Sequence, residues 1–225
     1  MGRRLIGGIL VVGLVGAAAY ASFYVAPEER TMGLVQRIFY LHAACGLTMF
    51  TAFFICFCSN IAYIFRRTAS ADALAVSAAE VGLAFSTVNL VTGPIWAHPA
   101  WGIWWTWDAR LTSAFVLWLL YIAYLLLRTM IEEPERRALL SSLFGVFAFL
   151  DVPLVYGSIR WWRTQHPQPV IMGGAGSGLE PTMARVFLFS IIAMHALLVL
   201  LLIDRYSLEK MRGEAEIVRR ELEAA

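Results

Sequence analysis

The chain has 225 residues, of which 60% are hydrophobic and 15% charged, and its mean hydropathy is +0.68. A soluble domain carries about 25% charged residues, so a water-soluble globular protein is excluded and the apolar runs must be tested as membrane spans of roughly 20 residues. The net charge of +2, with basic residues scattered along the chain, offers no nucleic-acid-binding surface, and the hydrophobicity excludes disorder for the bulk of the sequence.

Six apolar helices are predicted in chain order: Leu5 to Ala26, Ile38 to Phe65, Ala73 to Trp96, Leu111 to Leu127, Ala138 to Ser158, and Ala184 to Ile203. Arg3 and Arg4 before the first run and the triplet Ala19-Tyr20-Ala21 also resemble a cleavable signal. The run continues through Phe23, Tyr24 and Val25, beyond a signal's usual apolar region of about 7 to 15 residues, so an uncleaved span is expected. Cys45, Cys56 and Cys58 lie in the second run, and residues two apart on a helix face different ways, so buried thiols are expected rather than a metal pair.

An even number of spans puts both termini on one side. That side collects twelve basic residues (Arg3, Arg4, Arg66, Arg67, Arg128, Arg136, Arg137, Arg205, Lys210, Arg212, Arg219, Arg220) and the other side six (Arg30, Arg37, Arg110, Arg160, Arg163, Arg185). The positive-inside rule then places both termini in the cytoplasm. The expected fold is an all-α integral membrane protein with six transmembrane helices and a tryptophan-rich outer loop between helices 3 and 4. Residues 1–203 form the membrane domain, with that loop at about 96–112, and residues 204–225 form a cytoplasmic helical tail. In the tail, Leu208, Met211, Ala215, Val218 and Leu222 recur at spacings of three and four, an apolar seam suited to a partner helix or to a solvated extension.

The cytoplasmic linkers are too short for a nucleotide-binding domain, and no phosphate-binding G-x-x-x-x-G-K-[ST] pattern occurs, so any ATPase must be a separate chain. The glycine-rich stretch Gly173-Gly174-Ala175-Gly176-Ser177-Gly178 lacks the lysine and reads as a flexible outer loop.

Between spans three and four, Trp96, Trp101, Trp104, Trp105 and Trp107 account for five of the eight tryptophans. An interfacial aromatic belt is one reading; an apolar platform for a large flat ligand is the other. Asp108 and Arg110 close the loop, Asp108 as a helix N-cap or ligand contact, Arg110 as its local partner or as a planar fork for a ligand carboxylate.

His42, at the outer end of span two, and His166, after span five, lie on the same membrane face. Each alone reads as a hydrogen-bonding histidine; together, beside the tryptophans, they could ligate an iron from both faces of a macrocycle. The outer arginines Arg37, Arg110, Arg160, Arg163 and Arg185 are candidates for propionates. His98, inside the loop, is a reserve ligand. His195, Asp151 and Glu80 sit within apolar runs, where interhelical hydrogen bonding is the preferred reading.

The segment Trp101-Gly102-Ile103-Trp104-Trp105-Thr106-Trp107-Asp108-Ala109-Arg110 resembles the tryptophan-rich W-G-x-x-W-x-W-D signature of the WWD haem-handling proteins. With Gln36 to His42 before it, Trp161-Trp162-Arg163-Thr164-Gln165-His166-Pro167 after it and only six spans, the chain resembles the cytochrome c maturation protein C (CcmC) family, from about Gln36 to Ile203. The resemblance implies a haem-transport subunit, not an enzyme, holding haem b at the outer face of the bacterial plasma membrane. It implies His42 and His166 as axial ligands, with Trp101, Trp104, Trp105, Trp107, Asp108 and Arg110 in the haem-binding loop. It also implies an ABC-type complex with an ATPase (protein A), a membrane subunit (protein B) and a small single-span subunit (protein D), and delivery to a membrane-anchored haem chaperone (protein E). The alternatives are a respiratory membrane cytochrome b subunit, which would bury paired histidines within its helices, and a cofactor-free permease.

Overall fold

A computed structural model describes residues 2–167 and 178–224. Among these, helix α1 spans Gly2–Tyr20 and ends in a π turn, Ala21–Val25; a 3-10 turn, Leu34–Gln36, leads into α2, Arg37–Arg66. Then follow α3 (Ala69–Trp101), α4 (Ala109–Thr129), α5 (Pro134–Phe149), α6 (Asp151–Trp161) and α7 (Pro181–Ala224). With α5 and α6 taken as one span, six helical segments are long and apolar enough to cross a membrane, and the described residues form no strand.

Three boundaries differ from the sequence reading. The fifth span, expected from Ala138 to Ser158, is broken at Leu150 into α5 and α6. Pro153 explains the break, because it lacks an amide hydrogen and its ring crowds the carbonyl four residues earlier, that of Phe149. Helix α3 runs past Trp96 to Trp101, carrying Pro94 and Pro99, so the front of the tryptophan-rich segment is helical. Helix α7 passes residues 203 and 204 without interruption. Of the glycine-rich stretch only Gly178 is described; Gly173 to Ser177 lie outside the described residues.

Helix α2 is the central element, packed against α3, α5 and α7. Its partner α3 presents Ala75, Ala78, Ala79 and Gly82 to the core, small side chains that let two backbones approach closely where lipid supplies no hydrophobic drive. At Gly82 a Cβ would come within 2.6 Å of the Phe53 ring, which itself stacks on Tyr121 of α4 at 3.6 Å between centroids and an interplanar angle of 9°. Phe53 and Tyr121 are both fully buried, so the contact locks three helices at once.

Charged pairs gather at one end of the bundle. Arg128 at the end of α4 reaches both carboxylate oxygens of Asp72 at the start of α3, at 2.6 and 2.8 Å. Arg205 of α7 bonds Glu80 of α3 through two guanidinium nitrogens, Nε and Nη2, and Glu209 at 3.0 Å, so the Glu80 carboxylate of the apolar run is paired between helices. Arg137 of α5 meets Glu216 at 3.3 Å, and Arg4 of α1 lies 3.3 Å from Ser207, which brings the start of α1 and the last part of α7 to the same end. His42, Trp96 and His166 lie at the other end. The apolar seam of α7 is uncovered, with Leu208, Met211, Val218 and Leu222 all more than half exposed.

Gly82→Val should therefore overpack the α2–α3–α4 contact by about 1–3 kcal/mol and lower the thermal unfolding temperature in detergent. An unchanged melting profile would contradict the role assigned to that glycine.

Candidate functional site

The site is built from the ends of α2, α3, α4, α6 and α7 and the loops between them. Gly102 ends α3 in the left-handed region (φ +74°), its amide donating 2.8 Å to the His98 carbonyl, a conformation that glycine adopts at least cost. The chain then turns back and enters α4 at Asp108. Asp108 Oδ1 accepts from the Leu111 amide at 3.0 Å, so the residue is a true N-cap. Its other oxygen does different work: Oδ2 accepts from the Thr106 hydroxyl at 3.0 Å, the Thr164 hydroxyl at 2.8 Å and the Gln165 amide at 3.2 Å.

His42 stands on the second turn of α2. Its Nδ1 lies 2.9 Å from Thr92 Oγ1, while the Thr92 hydroxyl donates to the Val88 carbonyl at 2.8 Å. The threonine proton being spent there, the shorter contact makes Nδ1–H the donor to Thr92, with the Asn89 amide nitrogen farther off at 3.4 Å, and Nε2 keeps its lone pair, an assignment drawn from the hydrogen-bond network. Asn89 adds a 2.9 Å bond from its amide to the His42 carbonyl. His166 has the same tautomer for a different reason: its Nδ1 lies 2.8 Å from the Pro167 carbonyl, which can only accept. In both rings the nitrogen left for a ligand is Nε2, and the other nitrogen is held by an oriented partner, as in metal-binding histidines.

Both imidazoles line a cavity of about 860 Å³ and a small adjoining hollow, together with Asn89, Trp96 and Arg110. The main cavity is walled by Phe39, Leu47, Phe50 and Phe187, with Glu28, Arg30 and Glu180 among its polar residues. Trp96, only 5% exposed, packs 5.8 Å from the His42 ring and edge-on to His166 at 6.4 Å, and its indole N–H has no partner among the described residues. Arg110 donates 2.5 Å to the Val155 carbonyl of α6 and forms no ion pair with Asp108 among the described residues.

The tryptophans divide. Trp101 and Trp105 line the hollow, and the buried Trp105 N–H lacks a partner among the described residues. Trp104 stacks on His98 at 4.2 Å, and Trp107 sits edge-on to Trp105 at 5.7 Å; these two indoles are 58% and 75% exposed and line neither space. His195 lines neither space, with Nδ1 near the Ile191 carbonyl (2.9 Å) and Thr48 (3.2 Å) and Nε2 near Thr51 (3.0 Å). Asp151 opens α6, with Oδ2 unpartnered among the described residues. Cys45 and Cys56 are buried, whereas Cys58 is exposed on the outside of α2.

Sequence reading did not single out Asn89 and Thr92, nor Trp96 apart from its loop. Their signal was present: positions 89, 92 and 96 share one helix face, and Asn89 is a costly polar residue in an apolar run.

Burial opposes ionisation of Asp108, but the bonds from Leu111, Thr164, Gln165 and Thr106 outweigh it and hold the carboxyl below its ordinary range. Burial first, then the Arg110 guanidinium, push His166 down to about 4, against the Pro167 carbonyl and Asp108, which raise it. The unfolded chain takes up this proton near pH 6.5 and the folded chain only near 4, so this group's contribution to stability declines as pH falls through that window and is level above it. Nitrogen NMR of ligand-free protein carrying labelled histidine should find His166 still neutral at about pH 5.5. A titration midpoint near 6.5 would contradict the environment described.

The profile of the family described as Heme exporter protein C matches residues 4–223. A Heme exporter protein C of Bradyrhizobium diazoefficiens is 29% identical over 212 residues, covering 94% of this chain and 76% of its own length. One from Paracoccus denitrificans is 29% identical over 228 residues, 98% of this chain and 91% of the relative. A ccmC-like mitochondrial protein of cytochrome c biosynthesis from Marchantia polymorpha is 29% identical over 170 residues, 76% of this chain and 72% of its own. With nearly the whole chain matched and its six apolar helices in place, the protein belongs to the Heme exporter protein C family.

Proposed function

We propose that this protein is the haem-handling subunit of cytochrome c biogenesis, binding haem b between His42 and His166 and delivering it to a membrane-anchored haem chaperone, cytochrome c maturation protein E. The observation that carries the reading is that two imidazoles from distant parts of the chain line one cavity, each with its Nδ1 engaged and its Nε2 free among the described residues. Family membership supplies the cargo.

The surroundings support it. Trp96, Trp101 and Trp105 offer apolar faces to a flat macrocycle, the N–H donors of Trp96 and Trp105 have no partner among the described residues, and Arg110, like Arg30, is a guanidinium placed for a propionate. Trp104 and Trp107, exposed beside the site, are suited to the chaperone that must approach it. In this reading the site faces the periplasm of a bacterial inner membrane and both termini lie in the cytoplasm, supported by the twelve to six division of basic residues. Residues 204–225 are then a cytoplasmic tail, and hydrolysis of ATP belongs to protein A, in a complex with proteins B and D.

A loosely enclosed cargo suits a delivery protein: held by two displaceable nitrogens, it can be surrendered to a partner's ligand. An electron-carrying cytochrome b would need paired histidines within the bundle, whereas His195 has both ring nitrogens engaged by Thr48, Thr51 and Ile191.

The test is absorption spectroscopy with a pyridine haemochrome assay on detergent-purified protein beside His42→Ala and His166→Ala. Wild type should carry six-coordinate low-spin haem b, and each variant should lose haem or turn high-spin. A fully loaded protein whose spectrum survives both substitutions would overturn the assignment.

A further inference from the structure

The two candidate ligands are held in unlike ways. His42 is built into a helix pair and braced from α3 by Thr92 and Asn89. His166 lies on a loop after α6, and what ties that loop to the bundle is a chain of hydrogen bonds converging on Asp108. Thr164 is its middle link: its hydroxyl donates to Asp108 Oδ2 at 2.8 Å and accepts from the His166 amide at 3.1 Å. The adjacent Gln165 amide donates to the same carboxylate oxygen at 3.2 Å, and Thr106 of the tryptophan-rich loop donates to it at 3.0 Å. One carboxylate thus joins three segments: the tryptophan loop, the start of α4 and the His166 loop.

We infer that Asp108 and Thr164 are positioning residues that latch the His166 loop onto the tryptophan-rich loop, and that Asp108 acts through this latch rather than by touching the bound molecule. Asp108 lines neither the cavity nor the hollow, and its two carboxylate oxygens are engaged by four donors. An ionised carboxylate accepting several N–H and O–H bonds is a stronger anchor than neutral turn contacts, yet it can be released by a partner that competes for its donors. The placement of His166 is thereby coupled to the tryptophan loop, so a surface that displaces one loses the other. This goes beyond the haem-delivery reading but rests on it for the role of His166.

Asp108→Asn separates the two duties of the residue. Asparagine is as good an N-cap as aspartate, so the Leu111 bond survives, while an amide NH₂ in place of Oδ2 cannot accept from the Gln165 amide. Thr164→Val removes the middle link and Thr164→Ser keeps it. Hydrogen exchange of the haem-free protein in detergent should show the Gln165 and His166 amides opening about tenfold faster in Asp108→Asn and Thr164→Val, with Thr164→Ser like wild type. After haem loading, the first two should gain a high-spin fraction that added imidazole converts back to low spin, the sign of a displaced axial ligand. If Asp108→Asn fails to fold by circular dichroism, the two threonine variants decide.

Wild-type exchange and wild-type spectra in both Asp108→Asn and Thr164→Val would overturn the latch. Should His166→Ala itself keep the wild-type spectrum, the haem-ligand reading fails instead, and the exchange measurement on haem-free protein still decides the latch.

Discussion

The arrangement depends first on how closely α2 and α3 approach. Neither helix gains from excluding lipid, so their association rests on surface complementarity, supplied by the alanines of α3 and by glycines on both sides. Gly82 leaves room for the Phe53 ring, and Gly46 leaves room for the Asn89 amide, which a Cβ there would meet at 3.1 Å. That closeness sets the register of the pair. With it, Thr92 falls opposite His42 Nδ1 and Asn89 opposite the His42 carbonyl; a slip of one residue would turn both to another face.

From this rigid half the rest of the site is assembled by weaker means. Trp96, four residues beyond Thr92, follows from the same helix and brings its indole against both imidazoles. The second imidazole arrives on a loop, held by hydrogen bonds through Thr164 and by the edge of Trp96 rather than by a helix. One ligand fixed and one fastened is a physically sensible division for a carrier. In the proposed reading the fixed ligand defines where the cargo sits, and the loop ligand belongs to the class of structure that opens locally at low cost. The ion pairs at the opposite end, Arg128 with Asp72 and Arg205 with Glu80 and Glu209, tie helix ends together away from this loop.

Much of this was legible beforehand because membrane spans write themselves as long apolar runs, and because five tryptophans ending in Asp-Ala-Arg form a specific pattern. His42, His166 and Arg110 could be singled out for the same reason: costly or reactive side chains at span ends on one face. What escaped was whatever depends on a partner distant in sequence. Nothing local marks Thr164 as the link between Asp108 and His166, and nothing local separates Trp105, which turns inward, from Trp107, which turns out. Pro153 could have announced the break at Leu150, but the long apolar run on both sides of Asp151 masked it; Pro94 and Pro99 sit in a helix that continues through them.

The central claim is that a helix imidazole and a loop imidazole meet on one iron. Pulsed electron paramagnetic resonance of the haem-loaded protein, with histidine alone labelled with heavy nitrogen, measures this directly. The account predicts two axially coupled histidine nitrogens in wild type and one in whichever of the His42 and His166 variants retains haem. Two coupled histidine nitrogens persisting when both residues are replaced would contradict it.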